Sequence, residues 1–372
     1  MRVLYLTNAA QIGGGNRSLL VLWQAIRRLD VEPFAVCPDD GPMVAESRQQ
    51  SIPVEIRPYV QPAVRSPRAT LRATRDWIGL LRRERIDLVH ANDPSNARAI
   101  AMAARVVGVP VVCYVHYPPA SGYLEWCFRF LPRPRAFAYC SDAIRREIEP
   151  AARAVAPGSL HRVIHNSVAL ADFPAPAPDT RRTGPLRIGI IANLLPVKGH
   201  DDFLTMASIL TRNGVDAEFV IVGGDIHGSG YGETLHDLAT SLGIADRVHF
   251  TGHVPNVPDI LRTLDIVVCA STVEPFGICV IEAMAAGKPV VATRTGGLPE
   301  IVLPERTGLL VEPRNPAQLA DAVGRLATAP ELRAVFGTAG RQRVEEAFSD
   351  ARQAEDTAAL YREVLERARR RA

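Results

Sequence analysis

Two carboxylates, Glu274 and Glu282, stand with seven residues between them in the stretch ASTVEPFGICVIEAMAAGKPVVATRTGGLPE, which runs from Ala270 to Glu300. The first falls in a loop and the second two turns inside a helix expected from about Gly277 to Ala286, so the pair can face one ligand from two sides. At the helix start the backbone N–H groups of Phe276, Gly277 and Ile278 offer themselves to an anion. Together these features suit a nucleotide sugar. The plain alternative is that Glu274 sits favourably near a helix N-terminus and that Glu282 is a solvated helix residue. His116 is a second candidate: it ends an apolar run, VVCYVH, where open α/β sheets place ligand-contacting residues, or it is a histidine satisfied by backbone.

The elements that must position these residues alternate along the chain. A buried strand ends near Ala270, a second covers Pro289 to Thr293, and a glycine turn follows. Earlier, Val3 to Thr7 reads as a strand, Gly13-Gly14-Gly15-Asn16 as a glycine turn, and Ser18 to Arg28 as an amphipathic helix, an order that puts backbone amides at the carboxyl edge of a sheet. PFAVCP, VEIRPY, DLVHA, VVCYVH, AFAYC and HRVIHN continue the strands. Ser66-Pro67, Asp93-Pro94 and Ser141-Asp142 mark helix starts. Asn166 to Pro185 is rich in proline and lacks apolar periodicity. LRIGIIA, AEFVIVGG, VHFTG, DIVVCA and GLLVE then form a second series. The pattern predicts an α/β protein of two doubly wound, Rossmann-like parallel-sheet domains facing each other across a cleft. The expected bounds are residues 1–172 for the first domain, 173–185 for a linker and 186–349 for the second, with a helix over about 350–372 reaching back to the first.

A chain of 372 residues exceeds what one core usually supports, and a net charge of +3 gives no case for nucleic acid. Lys198 and Lys288 are the only lysines among 43 basic residues, which singles them out. The cysteines at 37, 113, 127, 140, 269 and 279 show no metal-ligand spacing and mostly fall in apolar strand-like runs, so a reduced, cytoplasmic compartment is expected. The N-terminus RVLYLT reads as a strand, not as a signal peptide, and Ala99 to Val115 resolves into a helix and a strand, not a membrane span. From Tyr117 to Arg135 aromatic and basic residues mix, which suits a membrane surface or a lipid-linked acceptor and equally a half-buried helix with a solvated face.

These residues resemble glycosyltransferase family 4, retaining nucleotide-sugar-dependent enzymes of GT-B architecture. The likeness is strongest from Leu186 to Pro313, through IIANLLPVKGH, FVIVGGD, VHFTGHV, EPFGICVIEAMAAGKPVV, TGGLPEIV and GLLVEP. It extends over the first half through Gly13-Gly14, YVHYPP, CSDAI and VIHNSV. The resemblance implies that Glu274 approaches the donor sugar hydroxyls and that the Phe276, Gly277 and Ile278 amides meet sugar or diphosphate. It further implies that Glu282 accepts from the ribose hydroxyls and that Lys198 pairs with the diphosphate. His253 and Val254 would line the base pocket, Gly223 would let backbone pass close to the nucleotide, Gly13 and Gly14 would close over the diphosphate, and His116 would lie near the sugar, so that His116, Glu274 and Lys198 carry catalysis.

Two positions depart from the family pattern. Asn193 stands where arginine is frequent five residues before the lysine, and Asn16 stands where glutamate follows the first glycines. The activity implied is glycosyl transfer with retention from a nucleoside diphosphate sugar, UDP foremost, to an acceptor hydroxyl, in polysaccharide, glycolipid or natural-product glycosylation. No cofactor and no metal is called for, since no Asp-x-Asp pair occurs, and a leaving-group oxygen helps take the acceptor proton. The alternatives are a catalytically weak nucleotide-sugar-binding protein and a nucleotide-sugar epimerase or hydrolase. The partners implied are the donor and a saccharide, lipid-linked or small-molecule acceptor, with a peripheral contact at the inner face of the plasma membrane as a further expectation.

Overall fold

The computed structural model describes residues 1–7, 11–174, 184–225, 228–254 and 256–370. The chain forms two units, Met1–Ser167 with Asp350–Ala372, and Val168–Ser349. The linker expected over 173–185 falls largely on residues 175–183, outside the described residues.

In the first unit seven parallel strands follow the order β3-β2-β1-β4-β5-β6-β7. They are β1 (Arg2–Leu6), β2 (Glu32–Cys37), β3 (Val54–Ile56), β4 (Leu88–Ala91), β5 (Val111–Val115), β6 (Ala136–Tyr139) and β7 (Leu160–Val163). The interior strands are almost wholly apolar because helices cover a parallel sheet on both faces. Every residue of β4, β5 and β6 is buried, whereas the edge strand β3 is only partly so. Local chemistry starts the helices. Asp93 accepts from the Ser95 N–H at 2.7 Å and opens the helix Pro94–Val107, and Ser141 accepts from the Ile144 N–H at 3.2 Å and opens Asp142–Val155. Ser66 precedes the helix Pro67–Arg83 as expected, but its side chain caps nothing and Pro67 alone sets the start.

The helix Asp350–Arg369 belongs to this first unit. Its Gln353 amide donates to Ser18 Oγ at 2.8 Å and accepts from Ser167 Oγ at 2.7 Å, while Ser18 donates to Asn166 Oδ1 at 2.9 Å. Four buried polar side chains thus satisfy one another across the helix Gly14–Ile26, the segment after β7 and the C-terminal helix.

The second unit repeats the arrangement with six parallel strands in the order β10-β9-β8-β11-β12-β13. These are β8 (Leu186–Ile191), β9 (Ala217–Val222), β10 (Val248–Gly252), β11 (Ile266–Cys269), β12 (Val290–Thr293) and β13 (Gly308–Val311). Its core gathers Ile188, Ile190, Phe203, Phe219, Ile221, Ile266, Val268 and Phe336. Among the described residues no helix is long and apolar enough to cross a membrane, and all six cysteines are free thiols, five of them buried.

Candidate functional site

In each sheet the chain winds one way from the first strand and the other way from the fourth, so a crevice opens at the carboxyl ends of that pair. In the second unit the pair is β8 and β11. Lys198 ends a short turn, Pro196–Lys198, in the loop after β8, and Glu274 sits in the loop after β11. The two side chains meet: Lys198 Nζ donates to Glu274 Oε2 at 2.7 Å, and Ser271 Oγ donates to the same oxygen at 3.1 Å. Glu274 is only 8% exposed. Burial works against the Lys198 ammonium, but the charge and hydrogen bond of Glu274 outweigh it and hold its pKa above the ordinary lysine value.

The loops are held together by backbone. Thr272 N donates to the Val197 carbonyl at 2.8 Å, and a Cβ on Gly199, whose φ is +70°, would collide with the Ala270 carbonyl. The end of β12 and the TGG turn after it have a comparable task. Thr293 Oγ1 donates to the Ser271 carbonyl at 2.5 Å, Thr295 Oγ1 to that of Thr272 at 3.1 Å, and Gly297 N to that of Glu274 at 3.0 Å. Gly296, at φ +50°, packs so close that any Cβ would strike the Glu274 carbonyl. The turn therefore fixes the backbone that carries Glu274.

Gly277 adopts φ +117° and leads into the helix Ile278–Ala285 with no acidic residue in its first turn, and Phe276 is buried just before it. Glu282 is 5% exposed, so it is not a solvated helix residue. Gly223, at φ +145°, directly follows β9 and has its Cβ position against the Ala192 carbonyl, with the Asn193 backbone nitrogen 3.1 Å from it. His253, exposed, and Val254, half-buried, follow the last residue of β10, with His253 Cβ 3.7 Å from the Cβ position of Gly224. Lys198, Glu274, Phe276, Gly277, Ile278 and Glu282 thus share the loops and helix at one switch point, while Asn193, Gly223, His253 and Val254 lie along neighbouring strand ends.

In the first unit the corresponding strand ends carry neutral groups. Gly13 precedes the helix Gly14–Ile26, which has no side-chain cap and no acid in its first turn. Asn16 Nδ2 donates to the Gln11 carbonyl at 2.8 Å, so the residue that departs from the family pattern ties the first turn of this helix to the segment before it. His116 follows β5, and its Nε2 lies 2.7 Å from Asn92 Oδ1. Its partner is a side chain, not the backbone. A Cβ on Gly15 would stand 3.1 Å from His116 Cδ2, so the first turn of this helix, where a glycine turn was expected, packs against the ring. Burial pushes the His116 pKa down to about 3, which keeps the imidazole neutral at pH 7.

Sequence reasoning missed the supports. Ser271, Thr293 and Thr295 hold the Glu274 loop, and Asn92 holds His116. The TGG string was the visible sign of the first group. For Asn92 the only sign is its place directly after a strand, two residues beyond His90, and that does not name the partner.

Profiles of two families match the chain: Glycosyltransferase Family 4 over residues 12–172 and Glycosyl transferases group 1 over residues 176–343. The D-inositol 3-phosphate glycosyltransferase of Streptomyces scabiei is 33% identical over 303 residues, covering 74% of this chain and 67% of that protein. The GDP-mannose-dependent alpha-(1-6)-phosphatidylinositol monomannoside mannosyltransferase of Mycobacterium tuberculosis is 37% identical over 161 residues, 41% of each. Among the first curated relatives the match spans 37% to 43% of their own length, less than half. The Anabaena protein HepE, solved in complex with UDP, superposes with a TM-score of 0.82 at 22% identity over 96% of this chain and 99% of that one, which establishes the GT-B fold. With the fold and both family matches in agreement, the chain belongs to glycosyltransferase family 4.

Proposed function

We propose that this chain is a retaining glycosyltransferase that moves a sugar from a nucleoside diphosphate sugar to an acceptor hydroxyl. The observation that carries the reading is the Lys198–Glu274 pair at the switch point of the second sheet, with Glu282 buried two turns into the helix that follows. When a donor binds, Lys198 turns to the diphosphate and leaves Glu274 to the sugar hydroxyls. Glu282, as an acceptor-only carboxylate, takes the ribose hydroxyls. Negative charge grows on the departing diphosphate, and Lys198 with the amides of Phe276, Gly277 and Ile278 is aimed at it beforehand, which is how such groups lower a barrier. Gly13, Gly14 and the neutral His116 ring lie at strand ends of the first unit, and the roles assigned to them, diphosphate and sugar, are those the family resemblance implies. A leaving-group oxygen takes the acceptor proton, so no separate general base is assigned. Asn193 offers no charge, which leaves the diphosphate to Lys198 and the backbone amides of the helix start.

The donor base is uracil in the first instance, with guanine as the second arm because one relative is by name GDP-mannose-dependent. The acceptor hydroxyl is sought first on inositol phosphates and inositol lipids, the acceptors in the relatives' names. Phe130, 87% exposed beneath the Arg129 guanidinium, and half-exposed Trp126 support a peripheral membrane contact over Tyr117–Arg135. The test is to incubate the full chain with UDP- and GDP-sugars and each acceptor, with and without a chelator, and to resolve the products. Glycoside plus free nucleoside diphosphate, undiminished by chelator, is expected. An altered donor sugar would show an epimerase, free sugar a hydrolase, and bound but unchanged donor a binding protein.

A further inference from the structure

At the amino ends of β5, β6 and β7, the edge of the first sheet opposite His116, three proline-containing turns come together, at residues 108–110, 132–135 and 156–159. Proline fixes φ and has no N–H to pair, and backbone bonds hold the middle turn between its neighbours. Arg135 N donates to the Val111 carbonyl at 2.8 Å, and Leu160 N donates to the Arg135 carbonyl at 2.9 Å. The turns rim a cavity of about 480 Å³. Its floor is formed by Ala97, Ala101 and Ala104 of the helix Pro94–Val107, four and three residues apart on one side of the helix, whose small side chains leave the space open.

Arg105, Arg133 and Arg135 line this cavity and no carboxylate does, nor has any of the three a carboxylate partner among the described residues. On the helix Asp142–Val155, by contrast, Arg145, Arg146 and Arg153 pair with Asp142 and Glu149 at 2.5 to 2.7 Å. Arg105 stands in the last turn of its helix, where the negative end of the dipole accounts for one positive charge. Arg133 and Arg135 belong to no helix and leave a surplus. Apolar surface adjoins the cavity. Positions 98, 102 and 106 follow one another a turn apart on the outer face of the helix Pro94–Val107. Arg98 lies over the Trp126 ring at 4.3 Å, and from there exposed Met102 and Val106 lead towards the cavity. Exposed Phe130 stands two residues before Pro132, which opens the rim. Contiguous exposed apolar side chains mark a surface that meets something.

We propose that this cavity holds the phosphate of an anionic phospholipid headgroup, with Met102, Val106, Trp126 and Phe130 entering the lipid surface around it. The proposal rests on the peripheral membrane contact put forward above and names what that contact binds. Guanidinium groups offer paired N–H donors in the geometry that phosphate oxygens take. The apolar side chains alongside favour a phosphate that carries acyl chains over one free in solution, since they lose their contact with water only when those chains are present. This lipid is not the acceptor. The helix that floors the cavity begins after Asp93 at the carboxyl edge, and its 14 residues span about 21 Å to the amino edge. A lipid bound there moors the chain and leaves the carboxyl ends of β4 and β5 open.

The test is sedimentation of the full chain with vesicles of phosphatidylcholine alone and of phosphatidylcholine mixed with phosphatidylglycerol. Binding to the mixed vesicles only is expected. Arg105→Gln, Arg133→Gln and Arg135→Gln together should weaken it by about two orders of magnitude. The same number of charges removed from the neighbouring helix, by Arg68→Gln, Arg72→Gln and Arg75→Gln, should weaken it about tenfold at most, because those exposed arginines lie outside the cavity. Arg133→Gln alone, in a turn, should cost about fivefold and serves if the triple cavity variant does not fold. Equal losses in the two triple variants, or undiminished binding by the cavity variant, overturn the headgroup site. If Phe130→Glu abolishes binding while the cavity variant retains it, the membrane contact stands and the headgroup site falls. A wild-type protein that binds no vesicle overturns both, and one that binds glycerol phosphate in calorimetric titration but no vesicle gives the cavity to a soluble phosphate ester and overturns the lipid.

Discussion

The two sheets share one strand order, yet their carboxyl edges carry different chemistry. In the second unit the edge is charged: Lys198 against Glu274, Glu282 buried nearby, and glycines where backbone must pass at close range. In the first unit the groups around the ends of β4 and β5 are of another kind. His90 and His116 are held uncharged, Asn92 is an amide, and the Asp93 carboxylate is occupied by Ser95, Tyr117 and Tyr123 at 2.6 to 3.0 Å. Since the fold is the same, the difference lies in the loops. A charged edge suits a ligand whose own charge changes during reaction, and neutral, directional groups suit hydroxyls that must only be oriented.

The sharpest way to break this contrast is to remove the charge from the second edge. Lys198→Ala should lower kcat by about two orders of magnitude, corresponding to a charge-assisted contact of about 2 to 3 kcal/mol. It also leaves Glu274 buried without its cation, so the melting temperature has to be read alongside. Full turnover with an authentic acceptor would remove Lys198 from the diphosphate. Next in size is Glu282→Ala, which should weaken donor binding about tenfold through the lost ribose contact. Calorimetric titration with the donor, or with the nucleoside diphosphate alone, reads it directly, and an unchanged Kd would assign Glu282 to packing.

The contrast also separates what the sequence discloses from what it hides. Strand and helix order in both units follows from apolar runs punctuated by Gly, Pro, Asp and Ser, because parallel strands buried on both faces leave continuous hydrophobic segments. The charged edge is legible too, since Glu274, Gly277 and Glu282 lie within one short stretch and Lys198 is one of two lysines. The bond between Lys198 and Glu274 joins residues 76 apart and exists only because β8 and β11 are neighbours. The surroundings of His90 and His116 are hidden for the same reason carried further. His116 could be placed at a strand end, but its partner Asn92 comes from another strand, and Tyr361, whose hydroxyl lies 2.6 Å from His90 Nδ1, comes from a helix 271 residues beyond His90.

Acid offers the finest test of the contrast. His90 and His116 have pKa values pushed down to about 3 by burial, against about 6.5 in an unfolded chain. Between those values the unfolded chain binds protons that the native first unit does not. Their contribution to stability is therefore complete above about pH 6.5 and is lost as pH falls towards 3, at up to about 1.4 kcal/mol per pH unit for each ring. In the second unit His200 is held down to about 4, also by burial, so it has a smaller share of the effect. All three tryptophans, Trp23, Trp77 and Trp126, belong to the first unit, so their fluorescence reports on that unit alone. Urea midpoints read by tryptophan fluorescence should fall from pH 6.5 to pH 4, and His90→Phe should shallow that fall by one ring's share. A midpoint indifferent to pH, or a slope that His90→Phe leaves intact, would show that these histidines are not held neutral by the fold and that the two edges differ less than their residues suggest.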